Sequence, residues 1–362
     1  MLAGKRIMYG VLNWGLGHAS RSVQLIRQLE ELKAEVVIAS DGDALHFLKR
    51  EFPNNTFIEL PELKIHYASV FGLQWSIISQ IPRLMQALKA EKLALDEYLQ
   101  SNTVDLIISD NRYGLYHDSI PSVLLSHQLN LQLKVAKRKA DSYMRKLISN
   151  FHEVWVPDEN EALLSAELSK LRKLDIEKTY IGSLSHLSSL KKDEFQSNTI
   201  AKYLAILSGP EPLRSLLEKK LVEMANRQKV PLYIIRGSRE KAIEYEKNEY
   251  VDFADQMSTF EIIEAAQNHL GLICRSGYSS IMDLCWMGIP ALMIPTPGQT
   301  EQEHLASHHM SAGHFYTKKE KQLDLKRDIE HAFSGDYKPP ALKIDLKKQK
   351  EILIERIESL MS

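Results

Sequence analysis

The sequence is poor in cysteine: Cys274 and Cys285 are the two it has in 362 residues. Two thiols exclude a small disulfide-stapled fold and the paired clusters of a zinc ribbon, and scarcity of this kind fits a reducing compartment. There is no excess of charge of either sign. Lys and Arg number 46 against 47 Asp and Glu, a formal net charge of -1. That balance lacks the basic surplus of nucleic-acid-binding chains, so no nucleic-acid partner is expected. Long apolar runs are missing too. The opening MLAGKRIMYG has no apolar core long enough for a signal peptide. The uncharged stretch Tyr67 to Pro82 is broken by Ser, Gln and Gly and falls short of the roughly 20 residues that span a bilayer. The expectation is a cytoplasmic chain. What is present is an ordinary globular composition, 44% hydrophobic and 26% charged, which excludes extended disorder. At roughly 150 residues per domain the length predicts two domains.

The β-run from Arg6 to Tyr9 enters Gly10 and a loop closing on Gly15-Leu16-Gly17. A helix with Ala19, Val23 and Ile26 on one face follows, and then a second β-run, Val36 to Ala39. Strand, glycine turn, helix, strand is a βαβ unit and predicts a parallel sheet. Further apolar runs at 106–108, 123–125 and 154–156 each end in polar or turn residues, among them Asp110-Asn111-Arg112, His127 and Asp158. Ligands of open α/β sheets sit beyond the carboxyl ends of the strands, so these segments are candidate walls of a site. Ser and Lys thicken between Tyr180 and Phe195, and the pattern then restarts: a strand from Tyr203 to Leu207, a turn at Ser208-Gly209-Pro210, a helix from Leu213. More β-runs lie at 232–235, 271–274 and 291–295. The boundaries expected are 1–185 for one Rossmann-like domain, 186–345 for a second, and 346–362 for an amphipathic C-terminal helix packing back on the first.

Two segments carry candidate chemistry. Cys274-Arg275-Ser276-Gly277 ends a strand and starts a helix, whose free N–H groups and partial positive charge suit a diphosphate. Ile281, Leu284, Cys285 and Gly288 follow a buried stripe on that helix, and Asp283 is placed to accept from a ribose diol. Downstream, Glu301 and Gln302 open a second helix, where an acid and an amide can read sugar hydroxyls. A capped helix in any α/β domain would show much of the same pattern.

The run Cys274 to Ala306, with Arg275-Ser276-Gly277, Asp283, Gly288-Ile289-Pro290, Pro295 and Glu301-Gln302, resembles the donor-binding half of family 28 glycosyltransferases. Gly15-Leu16-Gly17-His18-Ala19-Ser20-Arg21 is similar to the glycine loop plus His of that family. It is also similar to the Gly-x-Gly-His-x-x-Arg motif of a nucleotide-sugar hydrolase of pseudaminic acid synthesis. The resemblance implies an α/β GT-B fold, two Rossmann-like domains facing a central cleft. It implies Ser276 and Gly277 at the diphosphate, Asp283 at the ribose, Glu301 and Gln302 at the donor sugar, and Gly209 in a second glycine loop. His18 is implied as base or acceptor anchor, with Gly15, Gly17, Arg21, Asp110, Asn111, Arg112 and His127 on the acceptor side. The loop at 208–211 carries Pro210, which has no N–H to donate.

Breaking a sugar–diphosphate bond puts negative charge on the leaving group, and Arg275 or Arg236 is the expected partner for it. The acceptor hydroxyl loses a proton as it attacks, a task suited to a His whose ordinary pKa is near 6.5. Asp41-Gly42-Asp43 is a literal Asp-x-Asp metal signature, but an acidic turn after a strand is commonplace, so neither metal nor cofactor is expected. His304 and His308 share a helix face without a partner acid set by motif. Lys134, Lys137, Arg138, Lys139, Arg145 and Lys146 face only Asp141. That stretch reads either as a contact for an anionic membrane surface, on the inner face, or as a solvated helix. Tyr67 to Pro82 reads either as a cradle for an apolar acceptor tail or as a core helix. The leading expectation is metal-independent, inverting transfer from a UDP-sugar to a carbohydrate or lipid-linked acceptor. The alternatives are a nucleotide-sugar hydrolase using water and a non-catalytic sugar-nucleotide-binding protein.

Overall fold

A computed structural model describes residues 2–14, 16–62, 81–130, 137–159, 162–170, 175–189, 200–209, 211–237, 244–245, 249–255, 257, 259–342 and 344–362. Gly15, Pro210, Lys134 and nearly all of the stretch from Tyr67 to Pro82 lie outside those residues. The chain forms two compact units. The first is Met1–Ser188 together with Lys343–Ser362, the second Ser189–Leu342.

In the first unit the order is β1 (Arg6–Val11), α1 (Leu16–Glu31), β2 (Glu35–Ser40), α2 (Gly42–Glu51), β3 (Thr56–Glu59), α3 (Ile81–Leu99), β4 (Leu106–Asp110), β5 (Ser122–Leu125), α4 (Lys137–Ile148), β6 (Glu153–Val156) and β7 (Glu177–Tyr180). All seven strands are parallel, in the order β3-β2-β1-β4-β5-β6-β7. β1 is an interior strand, and from Ile7 onward it is buried on both faces, as a parallel sheet covered by helices requires. Side chains alternate across it. Ile7, Tyr9 and Val11 join the core beneath α1 and α2, while Met8 joins Leu95 of α3 on the other face.

The second unit runs β8 (Tyr203–Ile206), α5 (Leu213–Gln228), β9 (Leu232–Ile235), β10 (Val251–Ala254), α6 (Thr259–Asn268), β11 (Leu272–Cys274), α7 (Tyr278–Met287), β12 (Ala291–Met293), α8 (Thr300–Ser311), β13 (Tyr316–Thr317) and α9 (Leu325–Ala332). Its six parallel strands take the order β10-β9-β8-β11-β12-β13. The last helix, α10 (Leu346–Met361), returns to the first unit. Leu353 and Ile357 enter the core under α1. Gln24 Nε2 donates to Gln349 Oε1 at 2.6 Å, and Gln349 Nε2 donates to the Ser183 carbonyl at 2.9 Å.

Each sheet therefore reverses strand order once, between β1 and β4 in the first and between β8 and β11 in the second. In doubly wound sheets such reversals open a crevice at the carboxyl ends of the strands. The first turn of α1, carrying His18, and the end of β4 meet at the first; Gly209 and Ser276-Gly277 lie at the second. One expectation changes here. Gly288 does not belong to the buried stripe of α7; it is the exposed residue that ends the helix, with φ 75°, a left-handed turn that glycine makes without penalty.

Candidate active site

In the first unit, β1 and β4 are in register with Val11 opposite Asp110, so the start of α1 lies over the end of β4. His18, in the first turn of α1, places Nδ1 2.9 Å from Asp110 Oδ1. Arg21, one turn on, reaches the same carboxylate through Nε at 2.9 Å and again through Nη2. Its Nη1 donates to His127 Nδ1 at 3.0 Å, and Ser22 Oγ lies 3.2 Å from Asp110 Oδ2. Arg21, Asp110 and His127 are buried, whereas the His18 side chain is 13% exposed. Within the cluster His18 is thus the member open to a substrate.

The charges fix the protons. Burial opposes ionisation of Asp110, but the charges and hydrogen bonds of Arg21 and His18 outweigh it and hold the carboxyl far below the usual range. Burial, and then the Arg21 charge, push His18 below the ordinary imidazole value against the pull of Asp110. Near neutral pH His18 is uncharged. Two groups meet Nδ1: the Asp110 carboxylate, which can only accept, and Arg21 Nη2 at 2.9 Å, which can only donate; in the tautomer whose Nδ1 hydrogen binds Asp110, Nε2 keeps its lone pair. In that tautomer the ring can take up a proton at Nε2. Asn111, directly after Asp110, turns the chain through φ 57°, a conformation Asn tolerates. Asp110 stood among the acceptor-side residues in sequence, and its pairing with His18 was not visible there. The signal that could have found it is the doubly wound strand order, which sets the end of the fourth strand beside the first βα turn.

Arg112 belongs elsewhere. Its guanidinium is buried, donates to the Val11 carbonyl at 2.8 Å and to Glu91 at 2.9 Å, and pairs with Asp41. Asp41 also accepts from Asn13 Nδ2 at 3.2 Å. Arg112 ties the end of β1 and the turn after β2 to α3. The same contacts occupy the first carboxylate of the Asp-x-Asp triplet. Among the described residues no group of three or more His, Cys, Asp or Glu is arranged to hold a metal.

In the second unit Gly277 caps α7 without a side chain, at φ -76° and ψ 147°. Any residue can adopt that backbone. A Cβ built there would come no nearer than 3.8 Å to Ser280 Oγ and 4.0 Å to Gln302 Nε2. The fold does not need glycine at this position; its absence of side chain leaves the first turn of α7 approachable. Gln302 is buried, and its Oε1 accepts from the Thr296 N–H at 2.9 Å, which turns the amide nitrogen toward Gly277. Asp283 and Glu301 are half-buried on α7 and α8. Gly209, at φ 103° with open space around it, forms the turn after β8.

Three donor-side residues have partners within the second unit. Arg275 is buried and engaged through its two terminal nitrogens: it donates to Glu320 at 2.7 Å, to the Leu213 carbonyl at 2.9 Å and to the Ile294 carbonyl at 3.3 Å, while its Nε is buried without a hydrogen-bond partner among the described residues. Arg236 sits between Glu218 at 3.2 Å and Asp255 at 3.1 Å, with the Phe253 ring 4.2 Å from its guanidinium carbon. Neither is a loose cation awaiting a phosphate. Ser276 Oγ is buried and donates to the Gln302 carbonyl at 3.0 Å, fixing α7 to α8, so its one hydroxyl hydrogen is committed. His308, His309 and His314 gather at the end of α8, with Nδ1 of the last two 3.0 Å apart.

Two family models match the chain: the glycosyltransferase family 28 C-terminal domain over residues 208–353 and glycosyl transferase family 1 over residues 5–155. No curated protein matches it. Solved structures match across nearly all of the chain at low identity. The glycotransferase of kitacinnamycin is 14% identical, with 99% of this chain and 96% of that one covered and a TM-score of 0.66. MurG of Acinetobacter baumannii is also 14% identical, with 98% and 99% covered and a TM-score of 0.54. UGT89C1 of Arabidopsis thaliana, complexed with UDP-L-rhamnose, is 14% identical, with 98% and 94% covered and a TM-score of 0.61. The fold is GT-B, two Rossmann-like domains. The chain is a family 28-like glycosyltransferase, and its class of donor is a nucleotide sugar.

Proposed function

We propose that this protein moves a sugar from a UDP-sugar to a hydroxyl of an acceptor by direct, inverting displacement that needs no metal. The observation that carries the reading is the 2.9 Å contact between His18 Nδ1 and Asp110 at the strand-order reversal of the first unit. His18 Nε2 takes the proton of the attacking hydroxyl, whose oxygen bonds to the anomeric carbon while the diphosphate leaves with the bonding electrons. Asp110 holds the imidazole in the productive tautomer and balances the imidazolium that forms. Arg21 keeps Asp110 ionised. Charge growing on the leaving group falls to the N–H groups and dipole of α7 beyond Gly277, since Arg275 and Arg236 are engaged. Asp283 reads the ribose, and Glu301 and Gln302 the sugar. A complex of a structural neighbour with UDP-L-rhamnose supports uridine as the base.

For the acceptor we propose a carbohydrate or lipid-linked hydroxyl met at the inner membrane surface. Among the described residues no helix is long and apolar enough to cross a membrane. α4 carries Lys137, Arg138, Lys139, Arg145 and Lys146 against Asp141, which suits peripheral contact with anionic lipid. Nucleotide release from a panel of UDP-sugars, with and without acceptor alcohols, tests the reading. Transfer predicts acceptor-dependent release. Release in water alone marks a hydrolase, and saturable binding without release marks a non-catalytic sensor.

A further inference from the structure

A second polar cluster stands beside the His18–Asp110 pair. Arg112 follows Asp110 in the turn after β4, and Asn13 precedes His18 in the loop after β1. Both reach the Asp41 carboxylate just after β2: Asn13 Nδ2 donates to one oxygen at 3.2 Å, and Arg112 pairs with the other. Asn13 Oδ1 accepts from the Ala44 N–H at 3.2 Å, so that loop is held to α2. Gly42 makes room for it; a Cβ there would fall 2.4 Å from Asn13 Nδ2. On its far side Arg112 donates to Glu91 Oε1 at 2.9 Å, and Glu91 Oε2 accepts from the Gly114 N–H at 3.0 Å. Ser109 Oγ closes the turn by donating to the Arg112 carbonyl at 2.5 Å. A string of polar contacts thus runs from α3, through the turn that presents Asp110, to the loop that leads into His18.

The string is costly to bury. Asp41, Glu91 and Arg112 are all buried, two carboxylates against one guanidinium. Burial pushes the Glu91 carboxyl up to about 7 and the Arg112 guanidinium down to about 10. A buried ion pair often adds less stability than apolar side chains of equal volume, because desolvation offsets the attraction. What it supplies is one geometry: a guanidinium engaged at both ends admits few other placements of the turn. That turn needs holding. Asn111 takes it through φ 57°, and Asp110 must keep its carboxylate within reach of His18 and Arg21. Among the described residues the hydrogen bonds of Glu91 go to Arg112 and Gly114, so its effect on the pair passes through Arg112 and the backbone.

We propose that Glu91 is a positioning residue for the His18–Asp110 pair: by holding Arg112 and the Gly114 N–H it sets the place of Asp110, and through Asp41 and Asn13 the place of the loop before His18. The inference rests on the reading of His18 as base and extends that site to α3. Removal of the Glu91 carboxylate strips Arg112 Nη1 and the Gly114 N–H of this acceptor at once. The turn then relaxes, Asp110 drifts from His18 Nδ1, and the imidazole loses the partner that selects its tautomer. An amide at the same place keeps an oxygen for Arg112, so the geometry survives loss of the charge.

The test labels the histidines of the full-length protein with nitrogen-15 and follows the His18 ring nitrogens by NMR through a pH titration, with His18→Gln as the assignment standard. UDP affinity and acceptor-dependent UDP release are measured alongside. Expected in Glu91→Ala is a shift of the tautomer population toward the Nε2–H form that free imidazole side chains favour. The proton affinity of His18 should fall about tenfold as the Asp110 charge recedes. Turnover, kcat, should drop about tenfold or more with UDP affinity unchanged. Glu91→Gln should stay near native in all of these, and Asn13→Ala, at a half-buried loop position, should move in the same direction as Glu91→Ala. Ile148→Ala, a core truncation in α4, gauges lost stability alone and should leave the His18 signals in place. Signals and kcat unmoved in Glu91→Ala, or in Asn13→Ala where Glu91→Ala does not fold, overturn the proposal, as do equal changes in Glu91→Gln or Ile148→Ala. A native His18 with its hydrogen on Nε2 sinks the base reading instead; the proton affinity of His18 then still reports whether Glu91 holds Asp110 in place.

Discussion

His18 works through what surrounds it. Replacing it with Ala should cut acceptor-dependent turnover by about 10²–10⁴-fold, the usual share of a general base, while UDP-sugar affinity stays unchanged in equilibrium titration. Its depressed pKa sets a pH dependence. The base must be uncharged, so kcat/KM should hold as pH falls past 6.5 and decline only at the lower value that burial and Arg21 impose. Asp110→Asn removes the negative charge that opposes this depression, so its residual activity should carry an acid limb displaced further down. The same shift enters stability. The unfolded chain binds the His18 proton before the folded one does, so stability is lost as pH falls from about 6.5 toward the folded value. Gly277 makes a separate prediction. Its backbone is ordinary and a Cβ has room, so Gly277→Ala should leave stability within about 0.5 kcal/mol. It should nevertheless weaken UDP binding about tenfold, roughly 1.4 kcal/mol, by blocking approach to α7. Unchanged affinity would remove the phosphate from that turn.

At the scale of elements, α10 is the clearest case of a distant segment completing a core. Ile357 and Leu353 are buried under α1, and Arg356 pairs with the buried Glu153 at 3.0 Å and with Glu177 at 2.6 Å. Ile357→Ala should cost about 2–5 kcal/mol, read by denaturant unfolding of the first unit. Gly114→Ala should also destabilise, because its Cβ would fall 2.4 Å from the Leu88 carbonyl, backbone that cannot swing aside. What the sequence revealed of the sheets follows their geometry. The strands legible as apolar runs, such as 36–39, 106–108 and 271–274, are interior strands buried on both faces. The four unannounced strands, β3, β7, β10 and β13, are the four sheet edges. The first three are largely half-exposed and the last has two residues, so none leaves a continuous apolar signature. The site divides in the same way. His18, Gly277 and Gln302 stand in local motifs. The partners that define what each arginine does, Glu320 for Arg275 and Glu218 for Arg236, come from remote segments and follow no local spacing.

The whole molecule joins two doubly wound sheets, each with one reversal of strand order, and gives them different equipment. The first carries an oriented imidazole; the second carries open helix amides, a carboxylate and an amide. Those are the parts a displacement at an anomeric carbon needs, a proton acceptor and a site for a leaving diphosphate. Nucleotide should therefore stabilise the second unit. UDP at 100 times its Kd adds about 2.7 kcal/mol to unfolding of whatever binds it, visible as an upward shift in a calorimetric transition. The measurement that bears most directly on the account is the acceptor-dependent rate of UDP release at saturating donor, compared between the native protein and His18→Ala. A loss of at least about a hundredfold with donor affinity intact is the predicted result; turnover at the native rate in the variant would contradict it.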